Sequence, residues 1–205
     1  MEESNPIYLK LIVLGNPATG KTSIIKKFLN NGFSERYEKI KDVINWNKKI
    51  QVNGNNYIID IYDLPGDCIK SNSKTYSFGA NGIIYCCQVK NEQSRSELSS
   101  WKKDLKIDGN IPKICIENKS DLLHEEKNYN IGIDSLKTIS NALCCFRFYR
   151  TSAKTGYNII ESFESLINQM IKIKEEKESK RKQKKAAKNI AKVKSDEEIE
   201  SNYCC

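Results

Sequence analysis

The chain has 205 residues, 39% of them hydrophobic and 29% charged, with a formal net charge of +8. That suffices for one globular domain with a sizeable core and a tail. No apolar run approaches the roughly 20 residues needed to cross a bilayer, and MEESNPIYLK carries acidic residues where a secretory leader carries basic ones, so neither an intrinsic membrane protein nor an exported one is expected.

Eight cysteines without any C-x-x-C spacing read as reduced thiols rather than a disulfide or zinc framework. Cys86, Cys87, Cys115, Cys144 and Cys145 lie in or beside apolar runs and read as small core hydrophobes. The single histidine, His124, sits in a polar loop and leaves histidine-based acid–base catalysis almost no material.

After a six-residue extension, Ile7 to Leu14 is an apolar run broken by one lysine, which predicts a buried strand. Gly15-Asn16-Pro17-Ala18-Thr19-Gly20-Lys21-Thr22 follows and fits G-x-x-x-x-G-K-[ST]. Ile24, Ile25, Phe28 and Leu29 then recur at helical spacing, so the glycine-rich loop lies between a strand and a helix amino terminus. In that setting backbone N–H groups can wrap a phosphate, aided by the positive end of the helix. Lys21 can reach the β- and γ-phosphates, and the Thr22 hydroxyl is a candidate Mg²⁺ ligand. Pro17 has no N–H to offer there and fixes its own φ.

Ile50 and Val52 alternate, Asn53-Gly54 supplies turn chemistry, and Tyr57, Ile59 and Ile61 alternate again, predicting an antiparallel pair. It ends in Asp63-Leu64-Pro65-Gly66-Asp67. Ala80 to Val89 predicts a further buried strand, with Leu98, Trp101 and Leu105 as one helical face behind it. Lys113 to Glu117 is a short strand; Leu136, Ile139 and Leu143 mark a helix; Cys145 to Tyr149 is strand-like. Ile159, Ile160, Phe163, Leu166, Ile167 and Met170 form a strong amphipathic helix. Strands alternating with helices predict an α/β fold, a mostly parallel doubly wound sheet with one hairpin. Beyond Ile173 the apolar stripe is lost, and the helix is expected to run on for some turns before a disordered tail.

A phosphate loop alone leaves the base open. Asn118-Lys119-Ser120-Asp121, after the strand KICIE, points to guanine. A carboxylate at Asp121 can accept from the ring N–H and the exocyclic amine of guanine, a donor edge that adenine lacks. The Lys119 stem can lie on one face of the base, and Asn118 can tie this loop to the phosphate loop. Thr151-Ser152-Ala153-Lys154 follows the last strand, where a backbone N–H can meet the guanine O6.

With these motifs in this order, the chain resembles the small GTPases of the Ras superfamily, most closely the Rab branch, over about Ile7 to Ile171. The resemblance implies a P-loop NTPase G domain over 7–172, with a six-stranded sheet and helices on both faces. It implies GTP/GDP and Mg²⁺ as ligands. Gly15, Asn16, Pro17, Ala18, Thr19, Gly20, Lys21, Thr22 and Gly66 take the phosphate positions. Phe33, Asn118, Lys119, Asp121, Ser152, Ala153 and Lys154 take the guanine and ribose positions. Thr22 and, through water, Asp63 take the metal positions, and Tyr37 falls where a tyrosine can cover the phosphates.

Departures gather in the two switches. Counting from Asp63, Ile40 replaces the threonine whose hydroxyl binds Mg²⁺ in the family, and Asp67 replaces the usual glutamine. An ionised carboxylate only accepts hydrogen bonds and brings negative charge toward phosphate. No residue is therefore firmly catalytic, and slow hydrolysis is expected. A nucleotide-stabilised adaptor without a hydrolytic cycle is the alternative.

From Ile171 onward eleven Lys/Arg stand against seven Asp/Glu, and the chain ends Cys204-Cys205. This is no C-a-a-X box, but it resembles the Cys-Cys ending of Rabs that carries two geranylgeranyl groups. A basic tail over 173–205 then reads as a membrane-facing segment rather than a nucleic-acid site, since no aromatic-interleaved basic surface appears. The resemblance further implies vesicle traffic on the cytoplasmic face of an intracellular membrane, with a cytosolic pool. Its implied partners are an exchange factor, a prenylation escort or GDI-type chaperone, and effectors.

Overall fold

The computed structural model describes residues 5–36, 38–67, 73–105, 111–123 and 132–202, with backbone alone at 73–74, 104–105 and 186–202. Tyr37, His124, Cys204 and Cys205 lie outside the described residues. The chain divides into two compact units, residues 1–170 and 171–205.

In the first unit, strand β1 (Ile7–Leu14) is central, because an apolar run buried on both faces cannot sit at an edge. It pairs in parallel with β3 (Asn55–Asp63) on one side and β4 (Gly82–Gln88) on the other. Strand β2 (Ile44–Val52) pairs antiparallel with β3 from Ile44 opposite Asp63 to Val52 opposite Asn55. Asn53 and Gly54 close that hairpin at φ 51° and 77°, the left-handed values a two-residue turn between twisted strands requires. Strands β5 (Lys113–Asn118) and β6 (Arg147–Arg150) continue the sheet in parallel. The order β2-β3-β1-β4-β5-β6 is the mostly parallel, six-stranded α/β sheet that the sequence predicts.

Successive strand residues face opposite sides of a sheet, so β1 divides the core in two. On one side Ile12 and Leu14 join Leu98 and Trp101 of α4 (Leu98–Leu105), and Leu136 and Leu143 in and just after α5 (Ile133–Ala142). On the other, Leu11 lies near Met170 of α6 (Ile159–Asn202), and Phe28 of α1 (Lys21–Phe28) stacks on Phe163 with ring centroids 4.3 Å apart. Such a stack contributes about 1 kcal/mol beyond the burial of the rings. Two short helices, α2 (Ser73–Ser77) and α3 (Glu92–Ser96), lead into and out of β4; Asn91 caps α3 by accepting from Ser94 N at 2.8 Å.

Some boundaries differ from the sequence reading. Strand β4 starts two residues later than the apolar run, because Asn81 N is taken by Lys10 O and its side chain by Lys10 N. Strand β6 is Arg147–Arg150, since Cys144, at φ 58°, and Cys145 turn back onto the end of α5. Of the cysteines assigned to the core, Cys86, Cys87 and Cys115 are buried, Cys145 is half-buried and Cys144 is exposed. Ile160 is exposed, on the solvent side of α6.

The second unit is helical to Asn202, well past the predicted end. Its Lys-, Glu- and Ala-rich composition has high helix propensity, and no Gly or Pro interrupts it. Within it Lys174 and Glu178 pair at 3.8 Å, an i, i+4 contact that adds a few tenths of a kcal/mol. Among the described residues, no helix is long and apolar enough to cross a membrane.

Candidate functional site

The loops at the carboxyl ends of β1, β3, β5 and β6 meet around a cavity of about 450 Å³. Pro17, Ala18, Gly20, Lys21 and Thr22 form its floor, and Leu64, Pro65 and Gly66 one wall. Asn118, Lys119, Asp121, Ala153 and Lys154 close one end, and residues 32–36 and 38–40 also line it, with Phe33 exposed.

The loop path is set by backbone that only glycine permits. Gly15 has φ 143°, and a Cβ there would sit 2.0 Å from the Cys86 carbonyl oxygen of β4. Gly20 (φ 92°) starts α1, and a Cβ there would strike the Asn118 side-chain nitrogen at 2.3 Å. The positive end of α1 therefore opens onto the loop, where negative charge is stabilised. The Lys21 ammonium is nearly buried and donates to the carbonyls of Gly15 at 2.8 Å and Asn16 at 2.9 Å. Burial lowers its pKa, opposed by the nearby Cys86, Asp63 and Asp67 groups.

Asn16 turns its side chain away from the cavity. It donates to a Glu97 carboxylate oxygen, and its own oxygen accepts from the Trp101 indole at 3.2 Å. The Thr19 hydroxyl donates to Asn16 O at 2.9 Å. Asn16 is thus the rivet between the phosphate loop and α4, with only its main chain left for a ligand.

At the end of β3, Asp63 is fully buried, and neither carboxylate oxygen has a hydrogen-bond partner among the described residues. Burial pushes its pKa up to about 6, opposed by the nearby Thr22 hydroxyl and by the Lys21 and Lys26 ammonium groups. A buried carboxylate with no closed hydrogen bond, beside the hydroxyl of the cavity-lining Thr22, fits a hard divalent cation that takes oxygen ligands.

Gly66 lies against the phosphate loop so closely that a Cβ would meet Pro17 N at 2.2 Å. Asp67, the next residue, points outward, more than half exposed, and pairs with Lys39 at 2.8 Å. The Lys39 ammonium hydrogen-bonded to Asp67 holds that carboxyl below the usual carboxylate range. A carboxylate so held is a poorer proton acceptor still. The two segments on either side of the cavity mouth are thereby linked by charge.

At the other end, Asn118 holds three loops together. Its Nδ2 donates to Thr19 O at 3.1 Å, and its Oδ1 accepts from Ala153 N at 3.2 Å and the Thr151 hydroxyl at 3.3 Å. Asp121 accepts from the Ser152 hydroxyl at 2.5 Å, and the Lys119 ammonium donates to Gln88 at 2.9 Å. Lys119 itself is at φ 66°. Lys154 pairs with Glu35 at 2.8 Å across the cavity rim, both side chains exposed.

A sequence model of the Ras family matches residues 10–172, most of the chain. The chain belongs to the Ras family. Rab proteins are among its relatives, at modest identity. It is 26% identical to the Ras-related protein RabG2 of Dictyostelium discoideum over 170 residues, covering 82% of this chain and 84% of that one. It is 27% identical to the Ras-related protein Rab7 of Pisum sativum over 181 residues (83% and 85%), and 26% identical to Rab-13 of Mesocricetus auratus over 165 residues (79% and 79%).

Three features of this Rab-like site escape a motif reading: the turned-away Asn16 side chain, the Lys39–Asp67 pair, and a buried cluster of Arg95, Glu117 and Arg150 beneath the Asn118 and Ser152 loops. The last had a visible signal. Glu117 is the lone acid of β5, following Ile114-Cys115-Ile116 and preceding Asn118, and Arg150 stands immediately before Thr151.

Proposed function

We propose that this Rab-like chain binds GDP and GTP with Mg²⁺ and acts as a membrane-attached switch in vesicle traffic, hydrolysing GTP slowly. The observation that carries the nucleotide reading is the buried Asp63, beside the cavity-lining Thr22 and Leu64, at the edge of the cavity where the Lys21 loop and the Asp121 loop converge. Lys21 would exchange its two loop carbonyls for phosphate oxygens, and the backbone N–H groups at the start of α1 would meet the same charge. Thr22 would ligate Mg²⁺ directly and Asp63 through water. Bound Mg²⁺ supplies neutralisation of the negative charge on the phosphates. Asp121 and a backbone N–H of the Ser152-Ala153-Lys154 loop would read the guanine edge, the Lys119 stem would cover one face of the base, and Phe33 would meet it from the rim.

Slow hydrolysis follows from what surrounds the cavity mouth. Asp67 has no side-chain N–H to donate to an attacking water or to developing charge, and Lys39 already engages its carboxylate. Ile40 offers an aliphatic side chain where a hydroxyl would be needed, and it lines the cavity. The same observations support the second reading, an adaptor that holds nucleotide without cycling. In a single-turnover assay, Ile40→Thr with Asp67→Gln should raise the GTP hydrolysis rate by roughly 10- to 100-fold. Hydrolysis by the unaltered chain at the rate of the doubly substituted one would sink the slow-switch reading, and a doubly substituted chain that still holds GTP for days would favour the adaptor.

Membrane attachment would come from geranylgeranyl groups on Cys204 and Cys205, because one lipid gives marginal binding and two give stable anchoring. The lysine-rich tail would add attraction to anionic lipid on the cytoplasmic face. An exchange factor, a prenylation escort or GDI-type chaperone, and effectors complete the cycle, with a cytosolic pool between rounds. Detergent-phase partitioning in cells should fall to background in Cys204→Ser with Cys205→Ser; a variant that still partitions into detergent rules out this anchor.

A further inference from the structure

Glu117 is fully buried, and its carboxylate lies between two guanidinium groups that are themselves at least 95% buried. Oε1 accepts from Arg95 Nε at 3.1 Å and Nη2 at 2.5 Å; Oε2 accepts from Arg150 Nε at 2.6 Å. Three charges in a dry core are costly to desolvate, and apolar side chains of similar volume often hold a fold as well or better. Stability alone is thus a weak reason for the cluster. Its location supplies a better one.

Each member is rooted beside a loop that bounds the base end of the cavity. Glu117 directly precedes Asn118-Lys119-Ser120-Asp121, and Arg150 directly precedes Thr151-Ser152-Ala153. Arg95 belongs to α3, just after the end of β4, where Val89 N donates to Asn118 O at 3.0 Å. From there Arg95 also reaches α5, donating to the Ser135 hydroxyl at 3.3 Å. On the cavity side the two base loops are knit by Asn118 and by Asp121 with Ser152. Beneath them the charged cluster joins the ends of β5 and β6 through side chains, where Glu117 O also accepts from Thr151 N at 2.9 Å. Charge-assisted bonds to a forked guanidinium are directional as well as strong.

We propose that Glu117, clamped by Arg95 and Arg150, is a positioning residue for base recognition: it sets the spacing of the Asp121 and Ala153 loops so that both meet one guanine edge. This rests on the guanine-nucleotide reading above. Glu117 touches no ligand; its effect passes through the two loops.

The test uses the full chain and competition of fluorescent GDP by GDP, IDP, GMP and ADP, with melting temperature measured alongside. IDP lacks the exocyclic amine that Asp121 would bind, so the GDP-to-IDP affinity ratio reports the base end. The GDP-to-GMP ratio reports the phosphate end. Glu117→Gln keeps shape, removes the charge and sets an amide N–H₂ against a guanidinium; it should lower the GDP-to-IDP ratio by about tenfold, with the GDP-to-GMP ratio unchanged. A second variant, Arg95→Met with Glu117→Leu and Arg150→Met, exchanges the cluster for apolar volume. It should melt near the unaltered chain yet keep the reduced GDP-to-IDP ratio. Either variant retaining the full ratio overturns the positioning role while leaving the guanine reading intact. No preference for GDP over ADP in the unaltered chain overturns the guanine reading, and the positioning role with it.

Discussion

Gly15→Ala is expected to destabilise the folded chain by roughly 3 kcal/mol or more, the upper end of what overpacking against rigid structure costs. The added Cβ would lie 2.0 Å from the Cys86 carbonyl oxygen and 3.0 Å from its carbon. That neighbour is the backbone of a central strand, paired on both sides, so it cannot yield as a flexible side chain would. The residue also needs φ 143°, which a side chain disfavours. Moving Gly15 further disturbs the Lys21 ammonium, which donates to its carbonyl. Gly54→Ala is the control: its φ is 77°, yet a Cβ there meets nothing within 4 Å, so only backbone strain of about 1–2 kcal/mol applies. Urea unfolding of both variants separates the cases, and equal losses at the two sites would refute the close-contact account.

The contrast between these glycines marks what could be read from the chain beforehand. The hairpin glycine was legible from Asn53-Gly54 between alternating runs, because turn chemistry is local. The strands β1 and β5 and the faces of α1, α4 and α5 were legible through periodicity. So was the phosphate loop, since a strand, a fixed glycine spacing and a helix follow one another without interruption. Contacts between distant segments were not. The Asn16 side chain is spoken for by Glu97 and Trp101, more than 80 residues away, and nothing near Asn16 announces it. Glu117 binds arginines 22 and 33 residues distant. A lone acid in β5 would need partners once buried, because a lone buried charge is untenable, but the sequence does not say which of the chain's cations they are. Strand ends were blurred for the same reason: where β4 begins depends on Asn81 meeting Lys10, a contact across the sheet.

Asp63→Asn should have opposite effects on the bare and the loaded chain. With its pKa pushed up to about 6 by burial, Asp63 still holds its proton in the folded chain at pH values where the unfolded chain has lost it. The folded state therefore binds more protons between about pH 4 and pH 6, and stability from this group falls as pH rises through that window, by about 3 kcal/mol in all. At neutral pH the carboxylate is charged and buried with only the Thr22 hydroxyl close by, a cost that an amide relieves in part because it too is polar. The nucleotide-free Asp63→Asn variant should thus be about 1–2 kcal/mol more stable than the unaltered chain at pH 7, with a flatter stability profile from pH 4 to 6. Adding GDP and Mg²⁺ should reverse the order. The carboxylate that burdens the bare fold is the group proposed to gain from the cation, and stabilisation by ligand scales with its affinity for the native state. Thermal melts of both chains, bare and with GDP, at fixed Mg²⁺ and with EDTA, measure each half separately. A variant that is less stable than the unaltered chain when bare would contradict the stated cost of burial. One that gains as much as the unaltered chain from GDP with Mg²⁺ would remove Asp63 from the metal site.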